Sequence, residues 1–282
     1  MITIEIDKYK IRSSFSKAAL RYDIFALFQK ETAEELASKL SSASRRMSAI
    51  KILDIGCGTG FLSHNLAERF PEANILGCDI SHSMIKAASR KLKVERDKKI
   101  HLITTDGEIL PCKNDTFDIA ASNLTYQWIG NLEGSFKEAY RVLRPGGAFI
   151  FSTLGPETLK ELKSCYTEAT ERFNKDGLPP FINFSGQEAI ISALRDTGFD
   201  NISITVKDCI RAYHNMWELL KNMKSIGAGN PFKDGDKSLA RGSLLKKMAE
   251  EYKERFKIQD LQLATCNYVY ATYEVMFVYA EK

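Results

Sequence analysis

No two cysteines of this 282-residue chain form a C-x-x-C pair; the six present (Cys57, Cys78, Cys112, Cys165, Cys209 and Cys266) are scattered singly. That excludes a paired-thiol metal or redox motif and favours free thiols in a reducing compartment. Histidine is equally sparse: His64, His82, His101 and His214 stand far apart, so no metal site is expected. No apolar run reaches the roughly 18 residues that suggest a membrane span. The opening stretch MITIEIDKYKIRS is charged and has no apolar leader core. A cytoplasmic protein without membrane association is the expectation. Charge of one sign is lacking too. Forty Lys and Arg against 36 Asp and Glu leave +4, too little to mark a nucleic-acid binder but compatible with an acidic partner. Internal repeats and low-complexity tracts are absent as well.

What the chain does have is Lys51–Gly60, KILDIGCGTG. Apolar Ile50, Ile52, Leu53 and Ile55 surround Asp54, then the run breaks into Gly56, Gly58 and Gly60. An amphipathic pattern (Phe61, Leu62, Leu66, Ala67, Phe70) follows. Strand, glycine turn and helix bring a nucleotide-like ligand against bare backbone. The spacing is G-x-G-x-G. A dinucleotide fingerprint, G-x-G-x-x-G, needs a small residue where Phe61 stands, so a nucleoside cofactor without a pyrophosphate fits better.

Helical spacing of apolar residues spans Ser16–Leu40, after a ragged start at residues 1–14, and residues 41–48 read as a connector. Strands are expected at about Lys51–Ile55, Asn74–Cys78, Ile100–Thr104, Phe117–Ser122 and Ala148–Leu154, separated by helices at Phe61–Phe70, Met84–Leu92 and Leu132–Leu143. Alternation of this kind predicts a parallel sheet with helices on both faces, and ligands bind beyond the carboxyl ends of its strands. Those ends carry Gly56–Gly60, Asp79, Asp106 with Glu108, and Asn123. Asp79 lies 19 residues past Gly60, near the roughly 20-residue offset of a ribose-binding acid. Its competing role is that of an acid before a helix. After residue 154 come helices at Glu157–Arg172 and Gly186–Thr197, a proline-bearing loop at Lys175–Phe184 and a strand at Asn201–Val206. Residues 208–264 read as mainly helical, and Thr265–Tyr279 as a last strand.

The strand–GxGxG turn, the following acid, D-x-E and a fourth strand ending in SN resemble a class I S-adenosylmethionine-dependent methyltransferase. SFSKAALRYDIFALFQ (Ser14–Gln29), DGEILP (Asp106–Pro111), SNLTYQW (Ser122–Trp128), RVLRPGG (Arg141–Gly147), FSTLGPETLKEL (Phe151–Leu162), MKSIGA (Met223–Ala228) and TYEV (Thr272–Val275) resemble the malonyl-acyl-carrier-protein O-methyltransferases of biotin synthesis. RVLRPGG and the glycine run are common to many methyltransferases; the Tyr22…Gln29 element, SNLTYQW and MKSIGA are more specific. GNPFKDGDK (Gly229–Lys237) departs from the family pattern.

The resemblance implies an α/β fold of the Rossmann-like class I type: a seven-stranded, mostly parallel sheet, helices on both faces and a helical lid. It implies an N-terminal helical cap at 1–48 and a methyltransferase domain at 49–282, with helical insertions at about 156–184 and 208–264. The cofactor implied is S-adenosylmethionine, held by Asp54, Gly56, Gly58, Asp79, Ile80, Asp106, Gly107 and Glu108, with Asn123 at the methyl end. The reaction implied is methyl transfer to the free carboxylate of malonyl-acyl carrier protein, which primes pimeloyl synthesis for biotin. A carboxylate is already ionised at neutral pH, with a reference pKa of about 4, so no general base is needed. Tyr22 is the candidate to close over the sulfonium; Asn123, Gln127 and Trp128 are candidates to position the acceptor. A packing role for Tyr22 stands beside this. Lys224, Lys246 and Lys247 are the candidates for substrate or carrier contact, against a merely solvated charged surface. A monomer is expected, with no nucleic-acid partner. The alternatives are methylation of a free small acid of the aconitate type, and an assembly factor or hydroxylase on a methyltransferase-like scaffold. RNA methyltransfer lacks an NPPY-like tetrad.

Overall fold

The computed structural model describes residues 7–40, 50–94, 99–172, 183–228, 239–258 and 268–282. The expected connector at 41–48, nearly all of the 175–184 loop, the GNPFKDGDK segment at 229–237 and Cys266 lie outside them.

Seven strands form one sheet: β1 (Lys51–Ile55), β2 (Asn74–Asp79), β3 (Ile100–Thr104), β4 (Phe117–Asn123), β5 (Leu143–Leu154), β6 (Asp200–Tyr213) and β7 (Val269–Glu281). Their spatial order is β3-β2-β1-β4-β5-β7-β6, and β7 alone runs antiparallel to its neighbours. The order reverses between β1 and β4, the topological switch point at which ligands bind in open α/β sheets.

The interior strands are apolar on both sides because helices cover both faces. Ile52, Ile75, Ile119 and Ile150 pack with Leu36 of α3 (Leu27–Lys39) and Leu62 and Leu66 of α4 (Phe61–Arg69). Leu53, Ala120, Phe149 and Phe151 point the other way, onto Phe136 of α6 (Leu132–Val142) and Leu194 of α8 (Gln187–Thr197). Burying a phenylalanine such as Phe149 or Phe151, both fully buried, contributes about 1.5–3 kcal/mol. A third cluster joins α7 (Lys160–Arg172), α9 (Met216–Ser225) and α10 (Leu239–Arg255) through Leu162, Met223, Met248 and Tyr252 to the start of β7. These three helices follow β5 and β6 in the chain, and none of their residues lines the cleft at the switch point.

Two expectations need correction. Residues 1–6 of the expected ragged start lie outside the described residues, and 8–14 are helical: α1 spans Lys8–Ala18, and the Asp7 carboxylate caps it by accepting from the Tyr9 and Lys10 amides at 3.0 and 3.1 Å. Short α2 (Tyr22–Phe25) and α3 follow, while α5 (His82–Val94) follows β2. Second, residues 208–213 are strand, not helix. β6 continues past Val206 and pairs with β7 as far as Tyr213↔Val269. It is an edge strand, so Lys207 and Asp208 point to solvent without breaking the ladder.

The end of α9 reaches α1 through Gly227. Its φ of +75° ends α9 in the left-handed region, and a Cβ there would stand 3.1 Å from the Phe15 amide nitrogen and Cα. Backbone meets backbone, and α1 is held across the carboxyl ends of the strands.

Candidate functional site

The cleft at the switch point is lined by β1, β2, β4, their following loops, and α1. Gly56, Gly58 and Gly60 all have positive φ (+73°, +55° and +88°), so the turn after β1 folds tightly while the Gly56 and Cys57 amides donate to the Cys78 carbonyl at 2.8 and 2.9 Å. A Cβ on Gly56 would strike the Thr125 side chain at 2.2 Å; one on Gly58 would meet nothing within 4 Å, because that backbone faces open space.

Asp79 ends β2 and binds the same turn. Its Oδ2 accepts from the Gly58 amide at 3.0 Å and its Oδ1 from the Ser81 amide at 2.7 Å. Burial pushes its carboxyl up to about 6, against the lowering effect of those two hydrogen bonds. Asp106 folds its Oδ1 onto the Glu108 amide at 3.0 Å. Its Oδ2 and the Glu108 Oε2 each lie 2.8 Å from the Lys8 ammonium, which α1 brings across the cleft. Burial works against the charge on Lys8, but the hydrogen bonds to Asp106 and Glu108 prevail and its pKa is raised. The Glu108 Oε1 is buried without a hydrogen-bond partner.

At the β4 end, Asn123 is fixed at both ends of its amide. Nδ2 donates to the Gln29 carbonyl at 3.0 Å, and Oδ1 accepts from the Ser152 hydroxyl at 2.8 Å. Trp128 and Phe15 meet edge to face with ring centroids 5.5 Å apart, and Tyr22 stands 6.5 Å from Phe15. All three rings line the cleft. The Tyr22 phenol is pushed well up by desolvation and then by the charges of Asp79 and Asp23, so at neutral pH it is a neutral hydroxyl.

Of the residues expected from sequence, Tyr22, Gly56, Gly58, Asp79, Ile80, Asp106, Gly107, Glu108, Asn123 and Trp128 line this one cleft. Asp54 and Gln127 do not. The Asp54 side chain passes beneath the glycine turn, where Oδ2 accepts from the Ser63 hydroxyl at 2.6 Å and Oδ1 is buried unpartnered. Burial raises its pKa to about 7, with the Asp79 charge adding to it and Ser63 opposing it. Gln127 turns away because Nε2 donates to the Leu124 carbonyl at 2.8 Å and Oε1 accepts from the Thr153 hydroxyl at 3.3 Å. Lys224, Lys246 and Lys247 lie outside the cleft. Lys247 is drawn to Glu250 and Glu251 at 4.0 and 3.9 Å, whereas Lys224 and Lys246 are exposed.

Sequence reasoning missed Lys8, Ile11, Phe15 and Thr125, which also line the cleft. Asp7 followed by Ile11, Phe15 and Ala18 at three- and four-residue intervals was a readable helix signal. Among the described residues, no group of three or more metal-binding side chains occurs. None of the described helices is long and apolar enough to cross a membrane. The donor set fits a nucleoside cofactor: a bare-backbone cradle at Gly56–Gly58, a carboxylate at each of two strand ends, and an unpartnered oxygen on Glu108.

A family model described as a methyltransferase domain matches residues 53–151. The malonyl-acyl-carrier-protein O-methyltransferase of Geobacter sulfurreducens is 32% identical over 265 residues, covering 94% of this chain and 98% of that protein. The chain belongs to the malonyl-acyl-carrier-protein O-methyltransferase family. Family likeness therefore extends beyond the residues matched by the methyltransferase-domain model. The biotin biosynthesis bifunctional protein BioHC of Saccharophagus degradans is 32% identical over 88% of this chain and 43% of its own length. Among solved structures, the YcgJ protein of Bacillus subtilis superposes with a TM-score of 0.60 at 15% identity, covering 89% of this chain and 98% of that one. That likeness is one of fold.

Proposed function

We propose that this protein methylates the free carboxylate of malonyl-acyl carrier protein, giving the malonyl methyl ester that primes pimeloyl synthesis for biotin in the cytoplasm. One observation carries this reading within the family: the β4 end of the cleft supplies Asn123, Leu124, Thr125 and Trp128, none of them a general base at neutral pH. An acceptor that arrives protonated, such as an ammonium or an alcohol, would need one. A carboxylate does not, since its pKa is about 4.

S-adenosylmethionine supplies the methyl group on a sulfonium when bound. In this reading Asp79 accepts from the ribose hydroxyls, Asp106 and Glu108 recognise the adenine, and the Gly56–Gly58 backbone cradles the methionine part. Ile80 and Gly107 line the nucleoside pocket, and buried Asp54 supports the turn from below. Tyr22, Phe15 and Trp128 wall the methyl end and exclude water, with the Tyr22 ring facing the cationic sulfur. Asn123, locked through Gln29 and Ser152, positions the acceptor. Rate enhancement rests on this alignment, which is worth about 7–11 kcal/mol at best. Incubating the protein with S-adenosylmethionine and malonyl-acyl carrier protein is expected to add one methyl to the acyl chain by mass spectrometry. Methylation of free tricarboxylates instead, with the carrier untouched, would overturn the reading.

Lys8 makes the purine end unusual. Its ammonium already donates to both carboxylates that a purine amine would approach, so binding must exchange one donor for the other. Half-exposed ion pairs are worth about 0–1 kcal/mol each. Lys8→Met is therefore expected to tighten binding of S-adenosylhomocysteine roughly two- to tenfold in calorimetry. Weaker binding would make Lys8 a cofactor ligand rather than a competitor.

A further inference from the structure

Leu20, Ile24 and Leu27 are 81%, 71% and 61% exposed, although they are large and apolar. Leu20 lies in the turn after α1, Ile24 on α2 and Leu27 at the start of α3, all within the α1–α2–α3 cap. The inner side of the same segment presents Tyr22 to the cleft and buries Ala26. The ridge is thus the outer skin of the wall that closes the methyl end.

Its rim is basic. Lys17, Arg21 and Lys30 are exposed, and none forms an ion pair within the described residues. Of the nearby acids, Asp23 is engaged with Thr59 and Lys91 and Glu31 with Arg211, while Glu34 is exposed one turn beyond Lys30. Three exposed cations against that one acid leave the ridge's surroundings positive. Lysines on α10 present a different picture, since Lys247 is offset by Glu250 and Glu251. An exposed apolar strip with an unpaired basic rim suits an acidic protein that offers its own apolar spot.

We infer that the Leu20–Ile24–Leu27 ridge with Lys17, Arg21 and Lys30 is the docking face for the acidic acyl carrier protein. The inference rests on the proposed reaction. A carrier seated there lies on the outer side of the segment that presents Tyr22 to the cleft.

The test uses Ile24→Glu and the double variant Lys17→Glu/Lys30→Glu. Turnover is measured with malonyl-acyl carrier protein and with malonyl-pantetheine, which lacks the protein. S-adenosylhomocysteine affinity serves as a check on the fold. Both variants are expected to lose at least about 30-fold in kcat/KM with the carrier substrate, to keep wild-type rates with malonyl-pantetheine, and to bind S-adenosylhomocysteine normally. Unchanged carrier kinetics, or equal loss with both substrates, overturns the docking face. So does a wild-type dimer in ultracentrifugation that Ile24→Glu converts to monomer, because a second copy is then the occupant. If the wild-type protein methylates neither substrate, the proposed reaction fails instead.

Discussion

Asp79→Ala is expected to weaken S-adenosylhomocysteine binding by about 100-fold, read by calorimetry at pH 7.5. A hydrogen bond to a charged group contributes about 1.5–3 kcal/mol. Two such bonds from vicinal ribose hydroxyls, discounted for their exchange with water, amount to roughly 3 kcal/mol, or about two decades in Kd. The substitution does further harm, since Asp79 also holds the Gly58 and Ser81 amides and so shapes the turn beneath the ligand. Asp79→Asn keeps an acceptor but loses the charge, and its affinity should fall between those of the wild type and the alanine variant. The same carboxylate gives the wild type a pH signature. Its pKa is raised to about 6 by burial, and only the ionised form accepts from both hydroxyls. Affinity should hold steady above pH 7 and fall about tenfold for each unit below pH 6. Unchanged affinity in the alanine variant would remove Asp79 from the ribose.

The part of this site written most plainly in the sequence is the part made by local geometry. Gly56 and Gly58 must be glycine because φ is positive and, at Gly56, because Thr125 leaves no room for a Cβ. Asp79 and Asn123 end strands largely buried between helices, and such strands announce themselves as apolar runs, whereas Asp106 follows the more exposed edge strand β3. The sheet order then brings those strand ends together. The parts that stayed hidden depend on distant partners. Lys8 enters the cleft only because α1 lies across it, seated by Gly227 some two hundred residues later in the chain. The last third of β6 looked unlike a strand because it lies at a sheet edge and carries charges, Asp208 and Arg211, whose partners Lys160 and Glu31 come from distant helices. Asp54 was legible as an acid before a glycine turn, but its removal from the cleft surface depends on Ser63, on the far side of that turn.

Asp54→Asn is expected to stabilise the unliganded protein at pH 8 and not at pH 5. The Asp54 carboxyl is fully buried, one oxygen has no partner, and burial raises its pKa to about 7. Its unfolded value is about 3.9. Between those values the folded state holds a proton that the unfolded chain has released. The stability this group contributes is therefore complete below about pH 4 and is lost as the pH rises through 7. The loss amounts to roughly 4 kcal/mol by pH 8, at about 1.4 kcal/mol per unit. Asparagine escapes that loss. It keeps an acceptor for Ser63 but leaves a buried amide donor unpaired, at a cost of about 1–3 kcal/mol. The net gain is about 2 kcal/mol at pH 8, or roughly 5 °C in Tm for a chain of this size. At pH 5 the penalty removed is about as small as the penalty introduced, and the gain vanishes. Thermal melts of both proteins at the two pH values measure this; an equal difference at pH 5 and pH 8 would mean that Asp54 does not carry the charge cost. The same variant should bind S-adenosylhomocysteine more weakly, since the negative potential under the glycine turn is what a cationic methionine group would meet. On the proposed reading, Asp54 costs stability in the empty protein because the turn above it receives a ligand that carries positive charge.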